Sequence, residues 1–187
     1  SAGHYSPPAH SATDRIWLLN EHIGTHVDAP YHFIQNAPAT DALPLPQFWG
    51  TAVLADVAPR DSATPVSRAE IEAALVGQGE KLGSEDILLI HCWAGKRDDP
   101  GFASAAALAP EVGSWLVEIG VKAVGIDLPS VDSPGDRSFP VHIALLSAGI
   151  PIYENLSNLV AIDEPRFTFV GFPLRVAGAS GSAVRAV

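Results

Sequence analysis

A single cysteine in 187 residues, Cys92, leaves no partner for an internal disulfide, so a reducing compartment is the simpler reading. Basic residues are scarce too: 11 Lys and Arg stand against 21 Asp and Glu, for a formal net charge of −10. Nucleic acid and anionic membrane both call for a basic footprint, so neither is expected as a partner. A small substrate, neutral or held by its own local contacts, fits better. No apolar run approaches the ~20 residues of a membrane span. No signal peptide is visible either, and a cytoplasmic location is expected. What the chain does have is 47% hydrophobic residues with 17% charged, which excludes a disordered or strongly solvated chain. Its length suits one domain over residues 1–187, large enough to bury a substantial core. No internal repeat, linker or second domain is apparent.

Chemistry concentrates in eleven residues, His22-Ile23-Gly24-Thr25-His26-Val27-Asp28-Ala29-Pro30-Tyr31-His32. Neutral imidazole and carboxylate together are ligands that a borderline divalent metal such as zinc selects. His22, His26 and Asp28 supply three such ligands and leave a position open, with His32 just beyond. An open metal position beside a spare histidine suits a hydrolase that activates its own water. A fully extended strand would hold His22 and Asp28 ~20 Å apart, at about 3.3 Å per residue. A regular helix would pair His22 with His26 but turn Asp28 to another face. The segment is therefore expected to be a curved strand or a turn, which Gly24 and Pro30 permit. The alternative is three histidines satisfied separately by backbone carbonyls in a loop.

Elsewhere the pattern is mixed α/β with several buried strands. Residues 1–15, rich in Ser, Pro, Ala and His, read as a surface arm or loop, and Ile16 to Leu19 as a short strand. Pro38, Pro44 and Pro46 make residues 36–50 an irregular loop and a candidate pocket wall. Strands are expected over Thr51 to Val57, Ile87 to Ile90, Val121 to Leu128, Ile150 to Glu154 and Phe167 to Phe172. Ser67 with Glu70 is a capping-box signature for a helix to about Val76, stopped by Gly77. Two more helices run from Pro110 to Ile119, with Gly120 past the end, and from Pro140 to Ala148, closed by Gly149.

The last helix and its following strand bring a second pair of candidates into reach. His142 falls in the first turn. Seven residues of helix climb about 10 Å at 1.5 Å per residue, and four residues of returning strand cover ~13 Å. If the two run antiparallel, Glu154 ends beside His142. The competing reading makes Glu154 an exposed edge residue and His142 a core histidine.

The motif H-x-G-T-H-x-D-x-P-x-H, complete from His22 to His32, resembles the signature of the cyclase-like metal hydrolases, which include bacterial kynurenine formamidase and isatin hydrolase. The likeness continues through Gly125 to Asp132, Phe139 to His142, Ile150 to Leu156, Pro173-Leu174-Arg175 and Ser182 to Val187, and so covers most of the chain. It implies a single domain with a mixed, barrel-like sheet of swivelling β/β/α type and flanking helices. It implies His22, His26 and Asp28 on one divalent ion, zinc or manganese, and Asp28, His142 and Glu154 on a second. Some relatives resemble a single-manganese site instead. His32 is then the catalytic proton carrier, with a role as a further ligand as the alternative. The family also carries a strand upstream of this point, so an N-terminal strand is expected to be missing.

The expected activity is cleavage of a C–N bond in a small amide, formamide or cyclic imide by metal-activated water, as in an arylformamidase. A ring-closing cyclase or dehydratase, or a metal-binding protein without turnover, are the competing functions, and the spare His32 speaks against the last. A homo-oligomer, dimer or tetramer, is expected. Trp17, Phe33 and Trp49 are candidate substrate contacts, with Phe48 and Trp93 as further aromatic candidates, although each could equally be core. Asp127 and Asp132 flank Pro129-Ser130 at a strand's C-terminal end, where α/β ligand sites often lie, with structural turn capping the preferred reading. His91-Cys92 is better read as the end of a buried strand than as a thiol nucleophile, and Lys96 to Asp99 as a solvated loop.

Overall fold

The computed structural model describes residues 2–5, 12–60 and 62–187. Strands β1 (Ala2–Tyr5) and β2 (Ala12–Arg15) pair antiparallel, so these stretches are not the irregular arm expected, while residues 1 and 6–11 of that arm lie outside the described residues. Neither Ala-Gly-His-Tyr nor Ala-Thr-Asp-Arg alternates apolar with polar residues, so the pattern carries no strand signal. The strand expected at Ile16 to Leu19 does not form. Its backbone joins no ladder, and Ile16, Trp17 and Leu18 remain exposed.

The main sheet comprises β3 (His26–Asp28), β4 (Trp49–Asp56), β5 (Ile87–His91), β6 (Ala123–Ile126), β7 (Ile152–Glu154), β8 (Arg166–Val170) and β9 (Gly181–Ala183), in the order β8-β4-β5-β6-β7-β3-β9. The four strands β4 to β7 run parallel. The outer pairings, β4 with β8, β7 with β3 and β3 with β9, are antiparallel. Past β9 the chain reaches back to the opposite edge, where Val187 and Val170 exchange backbone hydrogen bonds of 2.9 and 2.7 Å. The sheet thereby curls into the expected barrel-like form.

Alternation along the strands fills two cores. Val53, Ala55, Leu88, Ile90, Val124, Ile126 and Ile152 face the helices, whereas Ala52, Leu54, Ile87, Leu89, Ala123 and Tyr153 face the inside of the curl. Strands buried on both faces read as unbroken apolar runs, which is what Ile87 to Ile90 displays.

The helices are α1 (Arg68–Gly77), α2 (Pro110–Ile119) and α3 (Pro140–Ser147). In α1 the capping box is complete: Glu70 N–H donates to Ser67 Oγ, and Ser67 N–H donates to Glu70 Oε2. Pro110 opens α2 and Gly120, at φ 77°, closes it. A Cβ on Gly113 would stand 3.0 Å from Ala144 Cβ and 3.2 Å from Val141 Cα. That missing atom lets α2 press on α3 and fixes where α3 presents His142.

Candidate metal centre

The segment around Gly24 is neither wholly strand nor wholly turn. Residues 21–25 turn, with Gly24 at φ 61°; β3 follows, and a short 3-10 turn at Pro30–His32 ends the motif. The turn folds His22 back until its Nδ1 lies 2.7 Å from Asp28 Oδ1. In the ladder between β3 and β7, His26 and Glu154 are direct partners, so their side chains project from the same side. His142, in the first turn of α3, has its Nε2 3.2 Å from Glu154 Oε1 and 3.5 Å from Asp28 Oδ2. The expected meeting of His142 with Glu154 is thus realised, and neither is an isolated core or edge residue.

The two carboxylates face both ways. Asp28 Oδ1 looks toward His22 and His26 and its Oδ2 toward His142; Glu154 Oε2 lies 3.4 Å from His26 Nε2 while its Oε1 faces His142. Glu154 therefore reaches the His26 side as well as the His142 side, more than the resemblance implied. Asp28, His26, His142 and Glu154 are all buried. Carboxylates are rarely buried so deeply without a compensating cation.

Hydrogen bonding decides what that cation is for. His26 Nδ1 lies 2.8 Å from the Gly24 carbonyl, which can only accept, so Nδ1 carries the hydrogen. When the ring is neutral, its Nε2 lone pair is turned on Asp28 and Glu154. His26 Nε2 and Asp28 Oδ2 are both buried without a hydrogen-bond partner. His142 repeats the arrangement, with Nδ1 2.7 Å from Asp132 Oδ2 and Nε2 toward the shared carboxylates. Ring nitrogens facing carboxylate oxygens call for a positive charge between them, either a proton on Nε2 or a metal ion that replaces it, and the N/O donor set suits a divalent ion. Two groups, His22/Asp28/His32 and His26/Asp28/Glu154, each gather one ligand atom per residue within 4.8 Å of one another, sharing Asp28.

Electrostatics follow the same geometry. Burial lowers the pKa of His26 and of His142, but carboxylate contacts outweigh it and raise them to about 10 and about 11. For Asp28, burial favours the neutral acid, yet contacts from His142, His22 and His26 hold it well below the usual carboxylate range. His32 moves the other way, lowered chiefly by burial. It stacks on His22 and stands edge-on to Phe33, 4.6 Å between centroids.

Of the aromatic candidates, Phe33 is at the centre, its ring 4.6 Å from that of His142 and 5.0 Å from Phe139. Trp49 is not. It starts β4 at the opposite end of the parallel strands, about six residues or ~20 Å from the level of Glu154. Trp17 projects outward, 75% exposed. Phe48 is wholly buried in the inner core, and Trp93 packs on Phe102 while its Nε1–H bonds the Lys96 carbonyl. An apolar ring is compatible with core and pocket alike, which is why sequence could not sort them. Burial pushes the Cys92 thiol up, against any nucleophilic role. Asp127 caps the backbone N–H groups of Cys92 and Trp93 as expected. Sequence reading missed Ser180, whose Oγ is 2.9 Å from His22 Nε2 and 2.6 Å from Glu21 Oε2. It also missed Gly181, which backs the His22 ring. Both lie on or beside β9, far from the motif, and carry no ligand-type pattern.

The chain also has known relatives. The Cyclase family model matches residues 3–133. Kynurenine formamidase from Salinibacter ruber is 36% identical over 171 residues, 90% of this chain and 76% of that protein. The Bacillus cereus kynurenine formamidase is 32% identical over 170 residues, again 90% of this chain and 76% of that protein. Among solved structures, isatin hydrolase A from Ralstonia solanacearum superposes with a TM-score of 0.84 at 22% identity, covering 100% of this chain and 80% of that one. At that identity the superposition speaks for the fold alone.

Proposed function

Because the chain belongs to the Cyclase family, we propose that it is a metal-dependent amidohydrolase that cleaves the C–N bond of a small amide, formamide or cyclic imide. The observation that carries this reading is the pair of imidazoles, His26 and His142, both locked with Nε2 toward the shared carboxylates Asp28 and Glu154. His22, His26, Asp28 Oδ1 and Glu154 Oε2 would hold one ion. His142, Asp28 Oδ2 and Glu154 Oε1 would hold the other. The ion is zinc or manganese, both compatible with a donor set of imidazole and carboxylate.

A bound divalent ion supplies a lowered water pKa and a polarised substrate carbonyl. The remaining work belongs to the chain. His32, with its pKa depressed by burial, is neutral at pH 7 and free to accept a proton. It takes one from the attacking water and returns it to the departing nitrogen as the C–N bond breaks. The face of His22 and the edge of Phe33 hold its ring in place. Kynurenine formamidase relatives at 36% and 32% identity favour hydrolysis over ring closure or mere metal storage.

No helix among the described residues is long and apolar enough to cross a membrane. The lone cysteine supports a cytoplasmic setting, and exposed Ile16, Trp17 and Leu18 support a homo-oligomer that covers them.

The test is a substrate screen with protein stripped of metal and reloaded with zinc or manganese. Formylkynurenine, isatin and small lactams are offered, and release of formate or of the ring-opened acid is followed. Metal-dependent hydrolysis of at least one amide or imide is expected. Full activity in rigorously metal-free protein, or no turnover of any C–N substrate by loaded protein, overturns the reading.

A further inference from the structure

Asp132 belongs to no group of potential ligands, yet it is the most heavily engaged carboxylate near the centre. Its Oδ1 accepts the backbone N–H of Val141 at 2.9 Å, and its Oδ2 accepts the backbone N–H of His142 at 3.0 Å. The same Oδ2 lies 2.7 Å from His142 Nδ1. Asp132 is itself buried, 4% exposed. One carboxylate thus closes the first turn of α3 and grips the imidazole that this turn carries. The preceding residue is engaged as well, since Val131 N–H donates to Glu154 Oε1 at 3.0 Å. Two consecutive residues therefore hold His142 and the Glu154 oxygen that faces it. The loop is anchored in turn, for Val131 O accepts the N–H of Leu108 and Ser133 Oγ accepts that of Ala107.

Turn capping alone would be satisfied by backbone contacts. The contact to Nδ1 adds a chemical decision. A carboxylate can only accept, so Asp132 fixes a hydrogen on Nδ1, and the proton lost when the ring becomes neutral is the one on Nε2, which leaves that lone pair toward Asp28 and Glu154. A histidine ligand is commonly set in this way by the partner of its other nitrogen.

We propose that Asp132 is a positioning residue that selects the His142 tautomer and thereby determines whether the His142–Asp28–Glu154 side of the centre binds an ion. The inference rests on the metal-centre reading above but not on the amide chemistry. His22 and His26 make no contact with Asp132, so the ion on their side is independent of it.

Asp132→Asn is the informative variant. An amide can keep one acceptor for the backbone, but its NH2 group faces hydrogens that the second carboxylate oxygen accepted. It favours the reversed tautomer, in which Nε2 carries the hydrogen and is closed to metal. Zinc is titrated calorimetrically into metal-stripped full-length protein, with stoichiometry checked by elemental analysis. Wild type should bind two ions. Asp132→Asn should keep the first with unchanged affinity and weaken the second about 10–100-fold. His142→Gln should lose the same ion, and the double variant should be no worse than the singles.

Two wild-type affinities in folded Asp132→Asn would reduce Asp132 to a helix cap and overturn the proposal, as would a wild type that binds a single ion. Should Asp132→Asn fail to fold, ring 15N shifts of zinc-loaded wild type decide. Protonated Nδ1 with metal on Nε2 of His142 is expected, and the reverse overturns it. Ion counting needs no substrate, so a protein that binds two ions yet hydrolyses no amide would refute the function above and leave this inference standing.

Discussion

The imidazole of His32 lies on that of His22, with ring centroids 3.8 Å apart and planes inclined by 25°. Stacking orients His32 without using either of its nitrogens, and burial depresses its pKa. Those properties suit a proton carrier. They also bring His32 close enough to His22 and Asp28 to complete a ligand group. His32→Ala separates the roles. Turnover on a working substrate should fall by ~10²–10⁴-fold while metal content is retained. Loss of an ion measured by elemental analysis would make His32 a ligand, and unchanged turnover would leave the mechanism without its base.

Glu154 and His142 should not behave alike. Glu154 faces His26 through Oε2 and His142 through Oε1, so Glu154→Ala should weaken binding of both ions. His142 touches only the far oxygens, and His142→Ala should weaken one. Zinc titration of the two variants checks the asymmetry. Identical stoichiometry and affinity to wild type in both would show the pair to be structural.

The eleven-residue motif exposed most of the candidate centre because its potential ligands are close in sequence and chemically distinctive. Pairing His142 with Glu154 was also accessible, since a helix of known rise and a returning strand fix where their ends meet. The partners that hold the ligands were less visible. Ser180 lies 158 positions beyond His22 in the sequence with Gly181 next to it, and the two arrive beside or on a strand too short to show periodicity. Asp132 was legible as a capping residue, but nothing in its spacing says that the same oxygen grips His142. The parallel strands and all three helices were plain because apolar runs, the Ser67–Glu70 box, and Pro and Gly at helix ends are local signals. Where Trp17 and Trp49 lie was hidden for the converse reason: exposure is set by the tertiary neighbours, not by the residue.

Metal binding should expel protons. Carboxylate neighbours hold His26 and His142 protonated, with pKa values raised to about 10 and about 11, whereas a metal ligand must be the neutral ring. At pH 7 each histidine therefore has a proton to lose on binding. Apparent affinity should rise with pH from neutrality toward pH 10, by up to about tenfold per unit for each proton expelled. Calorimetry in buffers of different ionisation enthalpy measures the count directly. A binding enthalpy independent of buffer would mean that the two rings are already neutral.

Gly181 stands behind the His22 ring, and its role can be tested without touching a ligand. A Cβ at this position would overlap His22 Cε1 and lie 2.8 Å from Nδ1, the atom that meets Asp28. Both sit on fixed ground: Gly181 pairs with Asp28 across β3 and β9, and the His22 ring is held from its other nitrogen by Ser180. The ring must therefore move, breaking the 2.7 Å contact with Asp28. Gly181→Ala should fold, because the backbone of β9 needs no left-handed conformation there. It should nevertheless bind the ion on the His22 side about 10–100-fold more weakly, the range seen when a ligand's orientation is disturbed. The melting temperature of chelated protein serves as the control for folding. A variant that melts like wild type and binds zinc equally well would show that His22 has room to turn aside, and that its fixed geometry is not needed to hold the ion.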